Sequence, residues 1–112
     1  MSQITTHILD TSIGRPAANV LIVLYKENGT DWQEMAEGVT NKDGRVGNLL
    51  PNETVLSKGV YKLYFDTKAY FETHAVTAFY PFVEIVFEIN STEHYHVPLL
   101  LNPFGYSTYR GS

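Results

Sequence analysis

Apolar residues recur along this chain with a period of two far more often than with the 3.6-residue period of a helix. In Val60-Tyr61-Lys62-Leu63-Tyr64-Phe65 and Phe82-Val83-Glu84-Ile85-Val86-Phe87-Glu88-Ile89, β-branched and aromatic residues dominate over strand-like lengths. Each run predicts a strand with one face turned to a core. Asn19-Val20-Leu21-Ile22-Val23-Leu24-Tyr25 is apolar almost without a break, with Gly14-Arg15-Pro16 before it and Asn28-Gly29 after it. It predicts a central strand running into a hairpin. Asn28-Gly29 suits a type I′ turn, whose two central residues need positive φ, so residues 32–40 form the expected antiparallel neighbour. Turn signals follow at Lys42-Asp43-Gly44, Pro51-Asn52 and Lys58-Gly59. That spacing leaves little room for helices and predicts a β-sandwich or barrel.

One segment breaks the pattern. Asp66-Thr67-Lys68-Ala69-Tyr70-Phe71-Glu72-Thr73-His74 tolerates helix, with Asp66 placed to cap the free amides of the first turn. Pro81 precedes the Phe82 strand, where a missing amide costs little. From His94 onward, Pro98 and Pro103 predict a strand interrupted or bulged, a turn near Asn102-Pro103 and a last strand from Tyr106. No repeat, low-complexity segment or linker divides the chain.

At 112 residues the length fits one domain. The 44% hydrophobic and 18% charged composition is that of a chain with a real core rather than a disordered one. A net charge of −4 with basic residues scattered singly speaks against nucleic-acid binding, which needs a dense basic face. The absence of cysteine removes disulfides, thiol nucleophiles and zinc-thiolate sites. No stretch approaches the roughly 18 apolar residues of a membrane span. The opening Met1-Ser2-Gln3-Ile4-Thr5-Thr6-His7 lacks a basic region followed by an apolar one. The expected compartment is the cytoplasm, or the periplasm if a leader has been removed.

Without cysteine, proton chemistry falls first to histidine, whose ordinary pKa near 6.5 suits it. His74 sits at the end of the expected helix, where a cation offsets exposed carbonyls, and reads as a surface residue. His94 and His96 form a His-x-His pair on a candidate strand, with side chains on one face about 6.6 Å apart. Two imidazoles fall short of the three or four ligands that zinc takes, so no metal site is assigned, and an isolated pair of this kind is more often structural. His7 alternates as a polar residue in an apolar first strand and, alone, would be a solvated residue. Arg45 follows the Asp43-Gly44 turn at the start of a strand, where a planar guanidinium can hold a carbonyl or an oxyanion or merely form a surface ion pair. Tyr106-Ser107-Thr108-Tyr109-Arg110-Gly111-Ser112 packs phenols, hydroxyls and a guanidinium into seven residues, a set able to read a flat hydrogen-bonding ring or simply to cap an edge strand. Singly, these signals stop at a small all-β sandwich of unassigned function.

Together they resemble a known family. Ile4-Thr5-Thr6-His7-Ile8-Leu9-Asp10-Thr11 with Gly14-Arg15-Pro16-Ala17, then Thr40-Asn41-Lys42-Asp43-Gly44-Arg45, then His94-Tyr95-His96-Val97-Pro98-Leu99-Leu100-Leu101 and the terminal Tyr109-Arg110-Gly111-Ser112 are similar to the 5-hydroxyisourate hydrolases, enzymes related to transthyretin. The likeness spans essentially the whole chain, and the terminal tetrapeptide is its most specific part, since transthyretin itself lacks it. The resemblance implies one transthyretin-like hydrolase domain over residues 1–112, an all-β sandwich of two four-stranded sheets with one short α-helix. It implies a homotetramer, a dimer of dimers with the active sites lining a central channel. The implied activity, in urate degradation and purine catabolism, is hydrolysis of 5-hydroxyisourate to 2-oxo-4-hydroxy-4-carboxy-5-ureidoimidazoline.

On matching positions, the resemblance assigns His7 and His96 acid and base work without saying which does which, and makes Arg45 the group that polarises the carbonyl. Tyr109, Arg110 and Gly111 would join His7 and Arg45 around the substrate, and Ser112 would hold a histidine in register. His94 flanks the motif and receives no role. No cofactor is implied. Asn102 stands where many relatives have serine, a departure that touches nothing catalytic. Two competing readings are a transthyretin-type carrier of an apolar aromatic ligand without turnover, and a sandwich serving only protein interaction. The first would put His7, Arg45 and His96 in a channel meant for an apolar ligand. Zinc on the histidines would act as an inhibitor.

Overall fold

The computed structural model describes residues 2–112; Met1, the first residue of the stretch read for a leader, lies outside the described residues. Two sheets face each other across a shared apolar core. One has the order β2-β1-β8-β9, with β5 also paired to β1, and the other has the order β4-β3-β6-β7. The strands of the first are β1 (Ile4–Asp10), β2 (Arg15–Pro16), β5 (Arg45–Val46), β8 (Tyr95–Asn102) and β9 (Gly105–Thr108); those of the second are β3 (Leu21–Asn28), β4 (Asp31–Val39), β6 (Gly59–Phe65) and β7 (Val83–Ile89). The expected four-and-four sandwich is therefore a five-and-four one. The extra member is the two-residue β5, too short to register as hydrophobic periodicity.

Alternation does the sorting. Ile4, Thr6, Ile8 and Asp10 of β1 are buried while Thr5, His7 and Leu9 are half-buried on the outer face, as a period-two strand with one covered side requires. Ile22, Leu24, Tyr61, Leu63, Phe65 and Ile89 meet them from the second sheet, all essentially inaccessible to solvent. The molecule is 20 Å across its thinnest direction, the width of two sheets stacked about 10 Å apart with side chains outside them.

The hairpin after β3 differs from expectation by one residue. Asn28 pairs with Asp31, so Gly29 and Thr30 are the central residues. Of these only Gly29 has positive φ, at 66°, which is the pattern of a turn with glycine in first place, as in type II′. The helix α1 (Thr67–Thr73) stands where predicted, but Asp66 makes no side-chain cap bond. Burial of Thr67, Tyr70 and Phe71 anchors it instead, as is usual for helices too short to be stable alone. No helix among the described residues is long and apolar enough to cross a membrane.

Tyr70 also donates a 2.8 Å hydrogen bond to Oδ2 of the buried Asp10. Burial first, then the neighbouring Asp10 carboxylate, push the phenol well above its ordinary range. Tyr70→Phe leaves that carboxylate oxygen without its partner, and is expected to lower stability by about 1–3 kcal/mol. Urea unfolding checks this.

Candidate active site

The outer face of the first sheet collects the candidate residues. Strands β1 and β8 run parallel with Thr5 opposite His96 and His7 opposite Pro98, and β5 pairs antiparallel with His7 opposite Arg45. Paired residues share a face, so Thr5, His7, Arg45 and His96 project together from three strands separated widely in sequence.

Arg45 is held by its turn. Asn41 Oδ1 accepts the amides of Asp43 and Arg45 at 2.9 and 3.1 Å, and Asn41 N–H donates to the Arg45 carbonyl at 3.0 Å. Gly44 has φ of 72°, and a Cβ there would lie 2.5 Å from the Ile8 carbonyl oxygen. Only glycine lets the turn dock on β1 and accept the Ile8 amide at 2.9 Å. Among the described residues the Arg45 guanidinium has no carboxylate partner.

His7 Nδ1 and His96 Nε2 are 2.8 Å apart, with the rings stacked at a centroid separation of 4.9 Å. The other nitrogen of His96, Nδ1, lies 2.7 Å from Thr5 Oγ1, and that hydroxyl also reaches His94 Nε2 at 2.8 Å. Both nitrogens of His96 are thus committed within the protein, whereas Nε2 of His7 has no hydrogen-bond partner among the described residues. Burial, with Arg45 second, lowers the pKa of His7. Burial also lowers that of His96, helped by His7, Arg45 and His94. Both imidazoles are therefore held neutral at pH 7 and able to take a proton. A cavity of about 400 Å³ opens beside them, its polar lining supplied by Thr5, Arg45, His94, His96 and Ser112. His7 is not part of that lining but is one hydrogen bond from His96.

The terminal segment divides between two places. Continuing the β8–β9 register, Pro98 would face Tyr109, and lacking an amide it cannot hold that pair. Its carbonyl takes the Thr108 hydroxyl at 2.7 Å instead. Strand β8 itself runs unbroken through Pro98, so the expected interruption falls in the pairing with the terminal segment and not in the strand. Pairing resumes where Gly111 N–H donates to the His96 carbonyl at 2.9 Å. Gly111 is packed so close that a Cβ would stand 2.6 Å from His96 Cδ2.

Tyr109 and Arg110 line a second cavity of about 350 Å³ together with Val86, Phe87, Tyr95 and His96. Arg110 stacks over the Tyr95 ring at 4.6 Å and forms an ion pair with Glu93. Within one protomer, then, His7, Arg45, His96, Gly111 and Ser112 come together, and Tyr109 and Arg110 meet this set only at His96, which borders both cavities. His74 caps α1 and rests on Tyr70, away from the cluster. Sequence reasoning missed Thr5, Asn41 and His94. Thr5 was readable only as the residue two before His7, and hence on its face; Asn41 as an Asx residue ahead of an Asp-Gly turn. No group of three or more His, Cys, Asp or Glu among the described residues could hold a metal ion.

The sequence matches the HIUase/Transthyretin family over residues 4–111. A probable 5-hydroxyisourate hydrolase of Schizosaccharomyces pombe is 46% identical over 97% of this chain and 90% of its own. The structure of Klebsiella pneumoniae 5-hydroxyisourate hydrolase is similar with a TM-score of 0.86 and 37% identity, over 97% of this chain and 98% of that one. Sea bream transthyretin in complex with thyroxine is similar with a TM-score of 0.91 and 34% identity, over 98% and 95%. With residues 4–111 matched and relatives of this identity along nearly its full length, the chain belongs to the HIUase/Transthyretin family.

Proposed function

We propose that this chain is a 5-hydroxyisourate hydrolase, a single hydrolase domain over residues 1–112 that opens the six-membered ring of its substrate by adding water to a ring amide carbonyl. The observation that carries the reading is the neutral imidazole pair His7–His96 beside the unpaired guanidinium of Arg45. Hydrolysis of a reactive cyclic amide needs a base for water, a cation for the developing oxyanion and a proton for the departing nitrogen. His7 works at Nε2, its free nitrogen, taking a proton from the attacking water and later giving one to the leaving nitrogen. His96 holds His7 through Nδ1. Arg45 stabilises the oxyanion, and Ser112 faces the substrate across the cavity. Positioning and charge stabilisation suffice without a cofactor.

In this reading the outer faces of the first sheet line the central channel of a homotetramer, a dimer of dimers. Tyr109, Arg110 and Gly111 belong to the substrate-binding set, with Tyr109 and Arg110 reaching the channel in the assembly. Likeness of fold alone is greater to a transthyretin in complex with thyroxine, with a TM-score of 0.91 against 0.86. Four charged or polar groups on this face, Thr5, His7, Arg45 and His96, argue against an apolar ligand here.

Arg45 supplies the test. Because it helps hold both histidines below 6.5, the wild-type profile of kcat/KM should be level at neutral pH and fall only as pH drops below 6.5 and the imidazoles charge. Arg45→Gln removes a cation that opposes imidazolium, so the fall should move to higher pH, on top of a loss in turnover of about 10²-fold from the missing oxyanion donor. An unchanged rate and profile would contradict the assignment. The same depressed pKa values mean that the histidines' contribution to stability is complete above pH 6.5 and is lost as pH falls through their folded-state values.

A further inference from the structure

The hydrogen bonds around His96 do not stop at His7. They run as one unbroken line from His7 Nδ1 through both nitrogens of His96 and the Thr5 hydroxyl to His94 Nε2, with separations of 2.8, 2.7 and 2.8 Å. His7 and His96 are half-buried, and His94 is exposed. Each member is both a donor and an acceptor, and the hydroxyl of Thr5 has one proton to give and lone pairs to receive. Two settings of the line make every bond while running in one direction, with Thr5 both giving and receiving. In one, His7 Nδ1–H donates to His96, His96 Nδ1–H to Thr5 and Thr5 O–H to His94, which leaves a lone pair on His7 Nε2 and a proton on His94 Nδ1. In the other, every bond is reversed, His7 carries its proton at Nε2 and His94 Nδ1 is bare.

We propose that Thr5 and His94 are the outer half of a proton relay, through which the hydrolytic histidine His7 exchanges protons with solvent. The inference rests on the hydrolase reading for what the proton is used for. When His7 Nε2 takes a proton from the attacking water, its Nδ1 proton passes to His96 Nε2, the His96 Nδ1 proton to Thr5, the Thr5 proton to His94 Nε2, and His94 releases its Nδ1 proton to solvent. His7 is then a neutral acid. Delivery of its Nε2 proton to the departing nitrogen, with uptake of one proton at His94 Nδ1, restores the first setting. One proton leaves and one enters per turnover, and no imidazolium persists in a pair that burial and Arg45 both disfavour charging. The charged groups around His94 are Arg45 across the cavity and Glu53 beside it, while Glu93 is engaged by Arg110. None interrupts the line. Thr5 touches no reacting atom and acts through His96; it is a positioning residue.

His94→Gln keeps a polar partner for Thr5 but cannot pass a proton. In weakly buffered solution its kcat should fall about tenfold, less than the ~10²- to 10⁴-fold for a group that meets the reacting atoms, with KM unchanged and the rate restored by added imidazole. Thr5→Val should lose as much, Thr5→Ser should recover it, and Thr5→Val with His94→Gln should be no worse than either alone, since both cut the same line. A His94→Gln enzyme with wild-type kcat at the lowest buffer concentration would overturn the relay, as would losses that multiply in the double variant. Nitrogen NMR of the imidazoles, without substrate, separates this from the hydrolase reading. Replacing His94 by Gln should shift the His96 nitrogen resonances in the wild-type background and not in Thr5→Val. A protein with that coupling but no turnover would sink the hydrolase reading and leave the line standing; turnover without coupling would sink the relay alone.

Discussion

Replacing His96 by alanine is expected to cut turnover of 5-hydroxyisourate by about 10²- to 10⁴-fold, the range for removing a group engaged in acid–base catalysis, with the sandwich still folded. The imidazole is half-buried on the outer face of β8, so the core of Tyr95, Val97 and Leu99 keeps its packing. What is lost is the partner of His7 Nδ1 and the bridge to Thr5. His7 then has neither a fixed ring orientation nor a fixed tautomer, and its free Nε2 no longer points at one place. Steady-state kinetics with circular dichroism and sedimentation check this. A His96→Ala protein that keeps near wild-type turnover would remove the pair from the mechanism.

Gly111→Ala should do comparable harm by a different route. The added methyl would stand 2.6 Å from Cδ2 of His96, closer than real side chains meet, and a tight 3.3 Å from Cγ of both His96 and Pro98. The ring cannot turn away without breaking the bonds that hold both its nitrogens. The alternative is for the terminal segment to lift off and lose the 2.9 Å bond from Gly111 N–H to the His96 carbonyl. The first outcome misplaces the imidazole and the second carries Ser112 away from the cavity, and displacements of about an ångström cost on the order of 10²-fold. Stability should scarcely change, because Tyr109 and Arg110 are exposed and the segment lies outside the core. An alanine variant as active as wild type would show that the close approach of Gly111 does not set the ring.

Much of this was legible in the chain, and what was not has physical reasons. The period-two runs of β6 and β7, the unbroken apolar run of β3, the Asp43-Gly44 turn and the short helix follow from local sequence, because hydrophobic patterning and turn chemistry act within a few residues. Strand boundaries moved by one to three residues, as with the hairpin that centres on Gly29-Thr30 rather than Asn28-Gly29. The pairing of β1 with β8 joins positions about ninety residues apart in parallel, and no local pattern announces it. The resemblance brought His7, Arg45 and His96 together where periodicity alone could not. It passed over His94 because flanking a motif says nothing of reach: the link to His96 runs through Thr5 on another strand. Arg110 and Gly111 are adjacent in sequence, yet alternation sends Arg110 to Tyr95 and Glu93 and brings Gly111 against His96.

The most direct test of the central claim is to generate 5-hydroxyisourate in the cuvette with urate oxidase, add this protein in catalytic amount and follow the ultraviolet decay against the spontaneous rate. The account predicts an acceleration proportional to the protein added, and its loss in His96→Ala. A folded protein that leaves the spontaneous rate unchanged would contradict it and give first place to a carrier without turnover.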